Sequence, residues 1–147
     1  MKQSIGLLAT GRKKLDHPAP VLEFYTSPLF QKSVQYAKEH YDRFYFYNAK
    51  DGLLVPDQKL EPYDLSIKTF SIMEKKVWAR KVIETFMQYE SQEDVLVYLH
   101  GGKVYRDHLE PQLEQKGYEY TIPMKGLGIG QQLAWFDEQL GSSDPDK

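Results

Sequence analysis

Residues 4–14 read SIGLLATGRKK, and the first seven of them decide the fold. A short apolar run without alternation suits a strand whose two faces are both covered, because a sheet packed between helices exposes neither side. Gly11 ends the run, and Arg12, Lys13 and Lys14 place charge directly beyond it. Residues 94–99, DVLVYL, repeat that construction and end in His100-Gly101-Gly102. Between them RFYFYN, 43–48, is a strand of aromatics suited to a pleated surface, and YEYTIP, 118–123, alternates like an edge strand.

The intervening segments have helical spacing. Ser27-Pro28 supplies a cap and a first-turn proline, and Phe30, Val34, Ala37 and Tyr41 then recur every three or four residues, so a helix runs to about His40. Ile72, Met73, Val77, Trp78, Val82, Ile83, Phe86 and Met87 form two adjacent columns of the longest amphipathic helix. Lys103 to Lys116 is a helix closed by Gly117, and Ile129, Leu133, Phe136 and Leu140 mark a last one. Loops fill the rest: GRKKLDHPAPVLEFYTS opposes helix and central strand through its prolines, and NAKDGLLVPDQKLEPYD, 48–64, forms one wall of a pocket. Strand and helix alternate four times without a hairpin signal. The expectation is a single three-layer α/β domain over residues 1–140, with about four mostly parallel strands and helices on both faces, and a flexible tail at 141–147.

Composition narrows the function classes. A chain of 147 residues, 41% hydrophobic and 27% charged, buries about two-thirds of its unfolded surface around one core. With no cysteine, disulfides, thiolate nucleophiles and Cys-bound zinc are all excluded, which suits the cytoplasm. The opening apolar stretch is too short for a secretion signal or a membrane span. The histidines have no metal-ligand spacing, so neither a metal nor another cofactor is expected. A net charge of −2 opposes non-specific coating of nucleic acid while leaving room for a local basic patch.

In an open parallel sheet the ligand crevice lies beyond the carboxyl ends of the strands. Thr10, Gly11, Arg12, Lys13 and Lys14 follow the first strand, and Asn48, Lys50 and Asp51 follow the second. His100, Gly101 and Gly102 follow the third, and Gly126, Gly128 and Gly130 the fourth. The glycines of 126–130 either present backbone N–H groups to an anion or make a tight turn into a helix. Arg12 to Lys14 hold phosphate or are simply solvated. Lys50, as a partly buried amine beside Asp51, Glu61 or Asp64, makes a structural ion pair or a catalytic base. Glu61, Tyr63 and Asp64 hold a ribose or form an acid–base pair, unless Glu61 caps backbone and Tyr63 packs. His100 is an acid–base group or a hydrogen-bond partner of Tyr105 or Asp107.

Several blocks in order resemble a small bacterial and phage domain family without a characterised activity. They are Gly11-Arg12-Lys13-Lys14, Leu22 to Phe30 (LEFYTSPLF), Ala49-Lys50-Asp51-Gly52-Leu53-Leu54, Glu61-Pro62-Tyr63-Asp64, His100-Gly101-Gly102 with Tyr105, and Gly126 to Gln132 (GLGIGQQ). The middle block is also similar to the YaaA peroxide-stress family, and that resemblance implies DNA association and a stress role. Two departures from the pattern, Thr10 in place of Cys or Ser and Asp51 in place of an aromatic, weigh against catalysis.

The leading expectation is a nucleotide- or nucleic-acid-directed protein, with base or sugar processing as its catalytic form. Arg12, Lys13, Lys14 and the Gly126 to Gly130 turn would hold phosphate, Tyr25, Tyr63 or Tyr105 would stack on a base, and Lys50 with Glu61 or Asp64 would act on it. A non-catalytic small-ligand sensor and an interaction module of a mobile genetic element are the alternatives. Nothing in the residues sets the oligomeric state.

Overall fold

Strand β1 (Gln3–Ala9) occupies the middle of a five-stranded sheet, as its unbroken apolar run requires. Strands β3 (Arg43–Asn48) and β6 (Val95–Leu99) flank it, both parallel to it, with Ile5 opposite Arg43 and Val97. Beyond β6 lies the parallel strand β7 (Glu119–Thr121), and beyond β3 the antiparallel strand β4 (Gly52–Leu54). These relations come from a computed structural model that describes residues 2–141.

The chain leaves β1 in one direction along the sheet and later passes back across it to β6. Right-handed crossovers in opposite directions place their helices on opposite faces. Helices α2 (Pro28–His40) and α5 (Ile129–Gly141) accordingly pack together on one side, and α3 (Ile72–Met87) with α4 (Lys103–Gln115) on the other. The strands serve both layers by alternation. Ile5, Leu7, Tyr45, Tyr47, Val95, Val97 and Leu99 join the core beneath α3 and α4, while Leu8 and Phe46 join Phe30, Val34 and Ala37 beneath α2.

Local signals agree with these boundaries. Ser27 accepts a hydrogen bond from the Phe30 N–H at the start of α2, and Ser71 with Glu74 forms a reciprocal capping box on α3. Gly6 admits the Tyr41 ring, since a Cβ there would lie 2.5 Å from it.

The sheet has five strands where four are expected, because Asn48 to Gly52 is a hairpin turn. Gly52, at φ +76°, starts the three-residue β4, too short to show a period of its own. The proline-rich loop also carries structure. It holds a two-residue strand, β2 (Ala19–Pro20), paired with β5 (Lys59–Leu60), and one helical turn, α1 (Val21–Phe24). The pairing of Ala19 with Leu60 ties the loop after β1 to the loop after β4. Apart from Gly141, which ends α5, the expected tail lies outside the described residues. No helix among those residues is long and apolar enough to cross a membrane.

Candidate functional site

The two tied loops close over the end of β3, where Asn48 is buried to 2% exposure. A polar side chain at that depth must be satisfied locally. Its Oδ1 accepts the Asp51 backbone N–H at 2.6 Å, and its Nδ2 donates to Asp51 Oδ2 at 3.1 Å and to the Tyr25 hydroxyl at 3.2 Å. The Asn48 carbonyl in turn accepts from the Trp78 indole at 2.9 Å, which fixes the start of α3 to the strand end.

Tyr25 passes the connection outward. Its hydroxyl lies 2.6 Å from that of Tyr63, and the Tyr63 ring stacks on Phe24 at 6.3 Å. Two cations approach the Tyr63 ring, Lys14 Nζ at 4.7 Å and Lys50 Nζ at 5.8 Å from its centroid, close enough for attraction to the π face. Lys14 is held there by its own backbone, which bridges to Tyr25, and by a bond from its amine to the Arg12 carbonyl. Burial pushes the Tyr63 phenol far above its ordinary range, with the Tyr25 bond adding to the effect. Tyr105 is raised for the same reason, though the Arg12 charge opposes it. The result is a pair of neutral phenols, Tyr63 and Tyr105, bordered by the half-buried Lys14 and the exposed Arg12 and Lys50.

A second feature lies at the switch point, where the chains leaving β1 and β6 turn to opposite faces. A narrow recess opens there, lined by Thr10, Gly11, Ser27, Phe30, His100, Gly101, Gln132 and Phe136 among others. His100 is 2% exposed and stacks on Phe136 at 6.0 Å. Its Nε2 lies 2.6 Å from the Tyr41 hydroxyl, and burial lowers its pKa to about 3. Gly101, at φ +123°, sits where any Cβ would overlap the Tyr47 hydroxyl. That hydroxyl donates to the His100 carbonyl at 2.6 Å.

The expected residues therefore divide between two neighbouring places. Tyr25 and Asp51 bond to Asn48, Tyr63 joins it through Tyr25, Lys14 and Lys50 border the Tyr63 ring, and Tyr105 packs on Tyr47 and Trp78 with the Arg12 charge near it, while Thr10, Gly11, His100 and Gly101 line the recess. Several roles are corrected. Lys50 is exposed and faces Tyr63, with no ion pair to Asp51, Glu61 or Asp64. Asp51 is already bonded to Asn48, through both its carboxylate and its backbone N–H. Glu61 and Asp64 are exposed and make no hydrogen bond or ion pair among the described residues, so nothing holds them as a catalytic couple. His100 bonds to Tyr41 instead of Tyr105 or Asp107, because its side chain points to the α2 face while α4 covers the other.

Gly126, Gly128 and Gly130 are exposed, and the Gly128 N–H is capped by Gln131 at 3.0 Å, as in a tight turn into α5. That segment contributes Met124 and Gln132 to the recess instead. Lys13 is exposed, and its carbonyl accepts from Thr26. The sequence places Asn48 at the crevice edge and Ser27 at a helix cap without giving either a role in the site, and it gives Tyr41 and Gln132 none. A buried amide ending an aromatic strand is a usable signal for Asn48, whereas Tyr41 and His100 are 59 residues apart and share no local pattern.

The fold and crevice define a small doubly wound α/β protein with its polar residues gathered at the carboxyl edge of the sheet. Within that class the chain belongs to a family of unknown function, DUF6884, whose model matches residues 5–138. No curated protein and no solved structure matches the chain. None of these comparisons supports the expected resemblance of the middle block to the YaaA family.

Proposed function

We propose that this protein binds a nucleotide or a short nucleic-acid segment across the carboxyl edge of its sheet. The observation that carries the reading is the approach of Lys14 and Lys50 to the Tyr63 ring of the hydrogen-bonded Tyr25, Tyr63 and Asn48 cluster, with the Arg12 charge acting on the neighbouring Tyr105. Cations supply phosphate contacts, and the half-buried Tyr63 and Tyr105 supply rings on which bases stack, whereas Tyr25, expected to do the same, is buried against Phe24 and Phe30 and serves to hold Tyr63. Because loops after β1 and β4 both build the cluster, and the β2 and β5 pairing fixes them, the surface is largely formed before a ligand arrives.

Binding without turnover is the form the side chains favour. The Thr10 hydroxyl, at the position where the resemblance expects a nucleophile, donates to the Tyr47 carbonyl at 3.0 Å. Glu61 and Asp64 lack any orienting partner among the described residues, and general acid–base chemistry needs one. This supports a sensor or carrier of nucleotides over a base-processing enzyme.

Thermal denaturation with a panel of nucleosides, nucleotides and short oligonucleotides tests the proposal. A ligand at a hundredfold excess over its dissociation constant adds about 3 kcal/mol to stability. The expected result is stabilisation by one of these classes, weakened by added salt and lost in a Lys14→Ala, Lys50→Ala variant. A panel that moves neither protein overturns it.

A further inference from the structure

The recess between the ends of β1 and β6 is lined by a buried ring nitrogen that has no hydrogen-bond partner. Among the described residues, His100 Nδ1 is the buried side-chain polar atom without a partner. Its protonation follows from its neighbour. Burial holds the Tyr41 phenol protonated, and the hydroxyl's partner is His100 Nε2 at 2.6 Å. Tyr41 OH makes no other hydrogen bond among the described residues, so donation to Nε2 is the arrangement that uses the phenol's proton, and it assigns the single proton of the neutral imidazole to Nδ1.

Most other polar groups of the recess are already committed. Thr10 donates to the Tyr47 carbonyl, Ser33 to the Phe30 carbonyl at 2.7 Å, and Gln132 Nε2 to the Leu127 carbonyl at 3.0 Å. Ser27 differs: its oxygen accepts the Phe30 N–H at 3.2 Å, which leaves its own proton to be donated. Ser27 is also the cap of the 13-residue α2, whose N-terminus contributes positive potential to the same recess. Leu29, Phe30 and Phe136 form the remaining walls and limit both water and size.

We infer that this recess is a subsite for one compact oxyanion, a carboxylate or phosphate group, whose oxygen accepts from His100 Nδ1 and from the Ser27 hydroxyl under the N-terminus of α2. The subsite stands apart from the Lys14 and Lys50 cluster and does not depend on the nucleotide reading. Donors that are neutral, rather than an arginine or lysine, suit a group that is small and desolvated on entry.

The test is NMR of the full chain with 15N-labelled histidine, titrated separately with acetate and inorganic phosphate. In the unliganded protein Nδ1 is expected to carry the proton. A saturable shift of the His100 Nδ1–H signal with either anion supports the subsite, and the anion that produces it distinguishes carboxylate from phosphate. Leu29→Trp fills the recess from its wall and keeps the reporting ring, and is expected to bind that anion at least tenfold more weakly; His100→Phe removes the donor and its signal, so it is followed by thermal denaturation, where the anion is expected to give it no stabilisation. Lys14→Ala, Lys50→Ala is expected to bind it unchanged. No shift with either anion overturns the inference, as do an unprotonated Nδ1, undiminished binding in both recess variants, or loss of binding confined to the lysine variant.

Discussion

The hydroxyls of Tyr25 and Tyr63 meet at 2.6 Å, joining a helical turn near the start of the chain to a loop 38 residues later. Asn48 anchors that pair from below through its bond to Tyr25. The candidate site therefore depends on one buried amide that also closes the β3 to β4 turn. Replacing Asn48 by Ala leaves the Asp51 N–H without its acceptor and the Tyr25 hydroxyl without one of its two partners. The expected cost is about 1–3 kcal/mol, seen as a lower midpoint in urea denaturation with an unchanged slope.

Tyr63→Phe separates the ring from the hydroxyl. The phenylalanine keeps the stack on Phe24 and the face presented to Lys14, and loses only the bond to Tyr25. About 1 kcal/mol of stability should disappear while ligand binding by stacking persists. Tyr63→Ala should abolish both, and calorimetric titration with the ligand found by thermal denaturation distinguishes the two variants. Equal loss of binding in Phe and Ala variants would mean that the hydroxyl, rather than the ring, meets the ligand.

Gly101 offers a steric test of the switch point. Its φ of +123° disfavours any side chain, and an added Cβ overlaps the Tyr47 hydroxyl. Gly101→Ala should cost about 1–3 kcal/mol from the backbone alone, with the overlap adding to that. Combining it with Tyr47→Phe removes the overlapping oxygen, so the double variant should be more stable than the sum of the two single losses predicts. Urea denaturation of the four proteins gives the coupling directly, and simple additivity would show that the two groups do not meet.

Which of these relations the sequence discloses follows from their range. SIGLLAT, RFYFYN and DVLVYL carry their burial in their own composition, and the helical columns from Ile72 to Met87 carry their period, so the sheet and its two helical layers are legible. The placement of polar residues at the carboxyl edge follows from that topology. β4 escapes notice because Gly-Leu-Leu is too short to show a period, and Lys50-Asp51-Gly52 looks like any loop turn. Side-chain partners are the least accessible layer. Lys50 has carboxylates close by in sequence and yet turns to Tyr63, because Asn48 takes Asp51. Tyr41 and His100 meet only because β1, β3 and β6 lie side by side.

Glu90 and Arg43 form the principal ionic contact of the opposite, amino edge. Glu90 is 4% exposed and accepts from Arg43 Nε at 2.8 Å, from Arg43 Nη2 at 2.7 Å and from the Tyr45 hydroxyl. Burial raises its carboxyl, but the Arg43 and Tyr45 bonds outweigh this together and hold it below the ordinary value of 4.5. A carboxyl depressed in the folded state stabilises above its unfolded pKa, and that contribution is lost as pH falls through the folded value. Glu90→Gln should therefore lower stability at pH 7, by about 2 kcal/mol, and reduce the acid-induced loss below pH 4.5. Melting temperatures from pH 7 to pH 3 measure both effects.

His100 acts in a separate window, which makes the two groups distinguishable in one titration. Its folded pKa of about 3 lies below the ordinary 6.5, with burial as the cause. Protonation thus favours the unfolded chain: the advantage of the folded state is complete above pH 6.5 and declines progressively as pH falls toward 3. Wild-type stability should begin to decrease near pH 6.5, before Glu90 contributes. In His100→Phe the decrease between pH 6.5 and pH 4.5 should be largely absent, although the lost Tyr41 bond lowers stability at every pH. A variant as pH-sensitive as the wild type over that interval would assign the transition to other groups and deny that His100 is held neutral by the fold. With a folded pKa of about 3 His100 is neutral at pH 7 and at pH 4.5 alike, so an oxyanion bound to the Nδ1–H form should raise wild-type stability at both, any weakening at pH 4.5 reflecting protonation of the anion itself. The same titration with and without acetate or phosphate, run on the wild type and on Leu29→Trp, separates the intrinsic burial of His100 from the occupancy of its recess.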